Sequence, residues 1–146
     1  MIISSPAFGD SENIPSKYTC DGSDINPELI IQGVPRQTKS LALIVDDPDA
    51  PAGTWTHWLV WNLDPTTKQI DEGTLPAGAI RGRNNFGKLD WGGPCPSSGT
   101  HRYYFKLYAL DRLLELREGD SRADLERTLD LHAIVSAQLV GKYTRS

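Results

Sequence analysis

Along the first 110 residues, apolar and polar positions change over in short runs separated by turn-forming residues. Four of these runs predict β-strands: ELIIQGV at 28–34, SLALIVDD at 40–47, HWLVWNL at 57–63 and HRYYFKLYAL at 101–110. Each is rich in β-branched or aromatic residues and bounded by Pro, Gly, Asp or Asn. In the last run Tyr103, Phe105, Leu107 and Ala109 share one face, and Arg102, Tyr104, Lys106 and Tyr108 the other. That period of two belongs to a half-buried strand and excludes a helix. A helix is predicted over 121–130, where Ser121 stands as N-cap three residues before Asp124, and Leu125 and Leu129 are one turn apart. The tail AIVSAQLVGKYT fits two patterns. Ala133, Val135, Ala137, Leu139 and Tyr143 make a strand face, whereas Ile134, Ala137 and Val140 make a helical stripe. We read it as a strand.

Many short strands, one helix, ten prolines and thirteen glycines predict a mainly β fold. The expected form is a two-sheet antiparallel β-sandwich with Greek-key-like crossings. A chain of 146 residues is one domain, 1–146, long enough to bury roughly two-thirds of its unfolded surface. No repeat or linker interrupts it. A net charge of -4 argues against a nucleic-acid partner, since phosphate-backbone affinity comes from clustered Lys and Arg, but leaves room for a small anion in a local pocket. The N-terminus has no basic start followed by an apolar core, and no apolar run is long enough to span a bilayer. The expected location is the cytoplasm. Cys20 and Cys95 form no CxxC pair, and free thiols are expected for both. A bridge would require their Cα atoms to lie within about 7 Å.

The candidate chemistry sits in the loops. His57 and His101 each open an apolar run behind a Pro/Gly-rich segment, an arrangement that suits a metal site, a catalytic group or an anion pocket. Taken alone, His57 is more often a hydrogen-bonded strand-end residue. The DDPDAP segment packs Asp46, Asp47 and Asp49 around two prolines and should be stiff. Its bland reading is a solvated turn, and an Ala50–Pro51 cis bond is compatible with it. Trp55, Trp58 and Trp61 read as core and pocket wall. The long loop 84–101 carries Gly-Gly-Pro and Ser-Ser-Gly elements that expose backbone N–H groups and suit an anion. Ordered loops of this length are more often functional than not.

The segments YTCDGSDINPEL, LALIVDDPDAP, GTWTHWLVWNL and GPCPSSGTHRYYFKLYALD together resemble the phosphatidylethanolamine-binding protein family. The likeness is to its bacterial and archaeal branch, related to Raf kinase inhibitor protein, and it spans nearly the whole chain. It implies two packed antiparallel sheets and a small pocket for phosphate, acetate or a phosphoryl headgroup such as phosphoethanolamine. Carried over by motif, the pocket comprises Asp47, His57, Gly93, Pro94, His101 and Tyr103, with Asp49, Pro51 and Trp55 shaping its wall. The extra C-terminal helix that covers the pocket in eukaryotic relatives has no counterpart here.

The resemblance implies a binding protein rather than an enzyme, with a kinase or protease as protein partner and a homodimer as its assembly. No cofactor is expected. One rival is a hydrolase using Ser97, Ser98 or Cys95 beside His101, although no GxSxG elbow accompanies them. The other is a metal bound by His57, His101 and Asp47, whose spacings match no known helix motif.

Overall fold

The computed structural model describes residues 1–145. In chain order the strands are β1 (Ile2–Ser4), β2 (Glu12–Asn13), β3 (Leu29–Gln32), β4 (Ser40–Asp47), β5 (Trp55–Leu63), β6 (Gln69–Ile70), β7 (Ile80–Arg81), β8 (Thr100–Leu110) and β9 (Ala133–Thr144). A 3₁₀ turn covers Ser16–Tyr18, and helix α1 spans Arg122–His132. One sheet has the order β1-β3-β6 and the other the order β2-β9-β8-β4-β5-β7. All pairings are antiparallel except that of β2 with β9.

The run SLALIVDD becomes the middle of the larger sheet because both of its faces find cover. Leu41, Leu43 and Val45 join Trp58, Val60, Phe105 and Leu107 in a core closed by Ile3, Leu29, Ile31 and Ile70 of the smaller sheet. Ala42 and Ile44 join Leu59, Trp61, Leu125 and Leu129 in a second core under α1. Burial on both faces is what a continuous apolar run signals, in contrast to the strict alternation of β8. The sandwich expected from the sequence therefore carries a helical layer on its outer face.

Helix α1 begins as its sequence indicates. The Ser121 side chain accepts the Asp124 N–H, and the Asp124 carboxylate accepts the Ser121 N–H, closing a capping box. The helix runs directly into β9, so the ambiguous tail is a strand, paired with β8 along its length. Four short strands, β1, β2, β6 and β7, escaped the sequence pattern because two or three residues carry no period.

Two sequence expectations are corrected. The Ala50–Pro51 bond is trans, as are all peptide bonds among the described residues. The chain reverses instead at Gly53, whose φ of 108° is open to glycine and whose N–H closes a turn on the Ala50 carbonyl. Cys20 and Cys95 are not free thiols but form a disulfide, with Cα atoms 5.5 Å apart. The backbone explains why: Cys20 N–H donates to the Pro94 carbonyl at 3.1 Å, Trp91 Nε1 donates to the Tyr18 carbonyl at 3.1 Å, and Gly93 N–H donates to Asp24 Oδ1 at 2.8 Å. These bonds lay the two loops side by side, a distance that the spacing of the cysteines in sequence does not reveal.

Candidate functional site

Strand order places the site. β4 lies between β5 and β8, so Asp47 at the end of β4 falls between His57 of β5 and His101 of β8. A β-bulge completes the arrangement. Val45 pairs with Trp58 but Asp46 pairs with Thr56, leaving His57 as the extra residue. Trp58 packs into the sandwich core, and without the bulge His57 would face the helix layer. The bulge turns it to the same side as Tyr103, with ring centroids 5.3 Å apart.

A cavity of about 220 Å³ results, lined at depth by Asp47, His57, His101 and Tyr103 and towards its mouth by Ala50, Pro51, Trp55, Phe86, Cys95, Pro96 and Ser97. Larger hollows exist elsewhere, including one of about 420 Å³ beside Arg81. There the guanidinium is already committed to Asp90 and Glu118. The smaller cavity is the candidate site because its polar atoms are not all committed.

The hydrogen bonds fix both imidazoles. His57 Nδ1 lies 2.5 Å from the Gly92 carbonyl oxygen, which can only accept, so Nδ1 carries the hydrogen and Nε2 is left free. His101 Nδ1 donates to Asp47 Oδ2 at 2.6 Å, while Asp47 Oδ1 accepts the Asp49 N–H at 2.8 Å. Burial pushes the His57 pKa below the usual histidine value, against the opposing pull of the Gly92 carbonyl and Asp47. Tyr103 is 1 % exposed, and its hydroxyl makes no hydrogen bond of full geometry, although the Cys95 backbone lies close enough to oppose the rise in its pKa. Burial, aided by the charge on Asp47, pushes its pKa well above the ordinary tyrosine value.

Of the residues expected from sequence, Asp47, Pro51, Trp55, His57, His101 and Tyr103 line the cavity, and Asp49, Gly93 and Pro94 do not. Asp49 faces outward and accepts from Arg102, through Oδ2 from its backbone N–H and Nε, and through Oδ1 from Nη2 at 2.7 Å. The Arg102 guanidinium holds its pKa down at about 2. Gly93 and Pro94 lie behind the wall, where a side chain at Gly93 would strike the Tyr18 carbonyl and Asp24. Ala50, Phe86 and Pro96 were not anticipated. Cys95 and Ser97, which the sequence offers as candidate nucleophiles, also line the cavity, and Cys95 is held in the disulfide. Among the described residues, no group of three or more His, Cys, Asp or Glu side chains is placed to hold a metal ion.

The family model described as phosphatidylethanolamine-binding protein matches residues 4–144. The chain belongs to the phosphatidylethanolamine-binding protein family. A UPF0098 protein of Methanothermobacter thermautotrophicus is 47% identical, covering 99% of each chain. Another, from Pyrococcus horikoshii, is 50% identical over 97% of this chain and 75% of its own. Among solved structures, the phosphatidylethanolamine-binding protein homolog CT736 of Chlamydia trachomatis superposes with a TM-score of 0.95 at 41% identity, covering 99% of this chain and 97% of its own. YbcL of E. coli, described as a member of the mammalian family, gives 0.92 at 32%, covering 99% and 98%. The phosphatidylethanolamine-binding fold expected from the DPDAP and HRYYFKLYAL motifs is thus established over nearly the whole chain. No helix among the described residues is long and apolar enough to cross a membrane.

Proposed function

We propose that the cavity binds small phosphate- or carboxylate-bearing ligands, of the phosphate, acetate or phosphoethanolamine kind, and that the protein acts by holding them rather than by turning them over. The observation that carries this is the buried, unpartnered Tyr103 hydroxyl beside two imidazoles whose Nε2 atoms are free. A buried polar atom without a partner costs free energy, which a ligand oxygen or hydroxyl would recover. The loss of Cys95 to the disulfide removes the strongest candidate nucleophile and favours binding over hydrolysis. On this reading the bound state is presented to a protein partner, a kinase or a protease, by a homodimer. Native mass spectrometry of the freshly purified protein tests both the assembly and any retained ligand.

Affinity for the isolated anion should be micromolar to millimolar, because so small a ligand offers few atoms to bury. The pH dependence has a definite sign. The free His57 pKa is depressed, so at neutral pH its Nε2 offers a lone pair, and an anion gains an N–H donor there only when the ring takes up a proton. Anion binding therefore raises the pKa, and affinity strengthens as pH falls from about 6.5 towards 5.5. Sulfate, ionised throughout, is the clean probe. Calorimetry between pH 5.5 and 8, with His57→Ala and His101→Ala beside the parent, tests this. Affinity that stays flat with pH, or that neither substitution weakens, sinks the assignment.

A further inference from the structure

The mouth of the cavity differs in chemistry from its floor. Below lie the imidazoles and the Tyr103 hydroxyl; above lie Pro51, Trp55, Phe86 and Pro96, with no Lys or Arg among the lining residues. Phe86 stands out because it is 39% exposed, one of only four large exposed apolar side chains among the described residues. It is nevertheless firmly placed. Asn84, 5% exposed, accepts the N–H groups of Phe86 and Lys88 through Oδ1, each at 3.0 Å, and donates through Nδ2 to the His57 carbonyl at 3.0 Å and the Asp90 carbonyl at 2.8 Å. Asn85 pairs with Thr56 in both directions, its N–H donating to the Thr56 carbonyl at 3.0 Å and its Oδ1 accepting the Thr56 N–H at 2.6 Å. Gly87 closes the turn at a φ of 75°. The turn is thereby tied to β5 at the residues flanking and including His57.

The ring rests on Gly92, where any side chain would collide with it. It stands edge to face with Trp55 at a centroid distance of 5.5 Å and with His57 at 5.2 Å. The buried Asn84, the exposed Asn85 and one bare glycine hold an aromatic ring partly in water, over a cavity floored by acid-binding groups. An apolar surface held rigid and exposed is matched to an apolar ligand group.

We propose that Phe86 is a specificity-determining residue, and that the ligand is a small acid carrying a flat apolar group, such as an aryl phosphate or aryl carboxylate. This rests on the proposed anion-binding role of the cavity. The acidic head would sit among His57, His101 and Tyr103, and the ring would lie in the corner formed by Trp55 and Phe86. A cavity of about 220 Å³ has room for one such ring. An ethanolamine ammonium at the same mouth would meet no free carboxylate, because Asp47 is committed to His101 and the Asp49 N–H. Covering roughly 60 Å² of an aromatic ring is worth about tenfold in affinity.

The test is calorimetric titration of the whole protein at pH 6 with inorganic phosphate, phosphoethanolamine and phenyl phosphate. Phenyl phosphate should bind at least about tenfold tighter than either of the others. In Phe86→Ala, the ratio of phenyl phosphate to inorganic phosphate affinity should collapse towards one, and Phe86→Leu should fall between. Phosphoethanolamine binding as tightly as phenyl phosphate, or a ratio that both variants leave intact, overturns the inference while leaving the anion site standing. Absence of binding by all three ligands overturns both.

Discussion

Asp46 and Asp47 are neighbours in the chain and serve opposite faces of one sheet, under opposite conditions. Asp46, fully buried, has its Oδ2 held by Lys106 Nζ at 2.9 Å and Arg122 Nη2 at 2.8 Å, beneath the first turn of α1. Asp47 has no cationic Lys or Arg partner in its hydrogen bonds, only an imidazole and a backbone N–H. A carboxylate held through one oxygen by a Lys and an Arg keeps the same charged partners at any neutral pH, although the buried Asp46 Oδ1 itself has no hydrogen-bond partner. One whose main partner is an imidazole lining the cavity lies within reach of whatever occupies it. The two faces are also fastened differently: ion pairs and a helix close one, and a disulfide ties the wall of the other. The same residue type thus becomes a structural anchor or a binding-site support according to the charge of its partners.

The largest expected effect strikes the pocket side. Cys20 and Cys95 are 75 residues apart, and the chain-entropy treatment of such a loop gives about 4 kcal/mol for the cross-link. Urea unfolding of a Cys20→Ser, Cys95→Ser variant should show a loss of that order. A loss below about 1 kcal/mol would mean that the Trp91, Gly93 and Pro94 hydrogen bonds hold the wall unaided. On the helix side, Arg122→Ala leaves Asp46 buried with Lys106 as its single cation, and should cost about 2 to 3 kcal/mol. Sulfate affinity should not change with it. A fall in affinity as large as that of His101→Ala would show that the two faces are coupled rather than separate.

The smallest effect belongs to Asp49, which fastens the DPDAP loop to β8 from outside. Its pKa is depressed by Arg102, so its contribution is present above the unfolded value near 3.8 and lost as pH falls towards about 2. Arg102 is about half exposed, and solvent screening reduces the contribution to about 1 kcal/mol. Thermal unfolding of Asp49→Asn should show this deficit at pH 7, and the gap to the parent should close between pH 4 and pH 2. A deficit that persists at pH 2 would assign the loss to packing instead of charge.

The long elements were legible because their signals are local. The alternation of β8, the Ser121–Asp124 box and the buried run of β4 depend on neighbours in sequence. At the site, His57, His101, Asp47, Trp55, Pro51 and Tyr103 could be read from strand ends and motif. The bulge that aims His57 could not, since it depends on the register of β5 against β4. Phe86 was invisible for a similar reason: NNFGK has no period, and the ring matters only because Asn84 reaches back to the His57 carbonyl. The disulfide was missed because the expectation of a reducing compartment stood in for a distance that only the fold supplies.

The pairing of β2 with β9 has a consequence for how the molecule is made. Asp10 accepts from the Val140 N–H, a contact between residues 130 apart, and Ser11 and Ile14 donate to carbonyls of the same final strand. At roughly 5–20 residues per second of synthesis, the N-terminal segment waits on the order of ten seconds for its partner to be translated. During that interval the cavity is also unfinished, because His101 and Tyr103 emerge well after Asp47 and His57. A nascent chain cannot hold its ligand early and fold around it; closure of the sheet and completion of the pocket are late events, separated only by the time needed to translate α1 and β9.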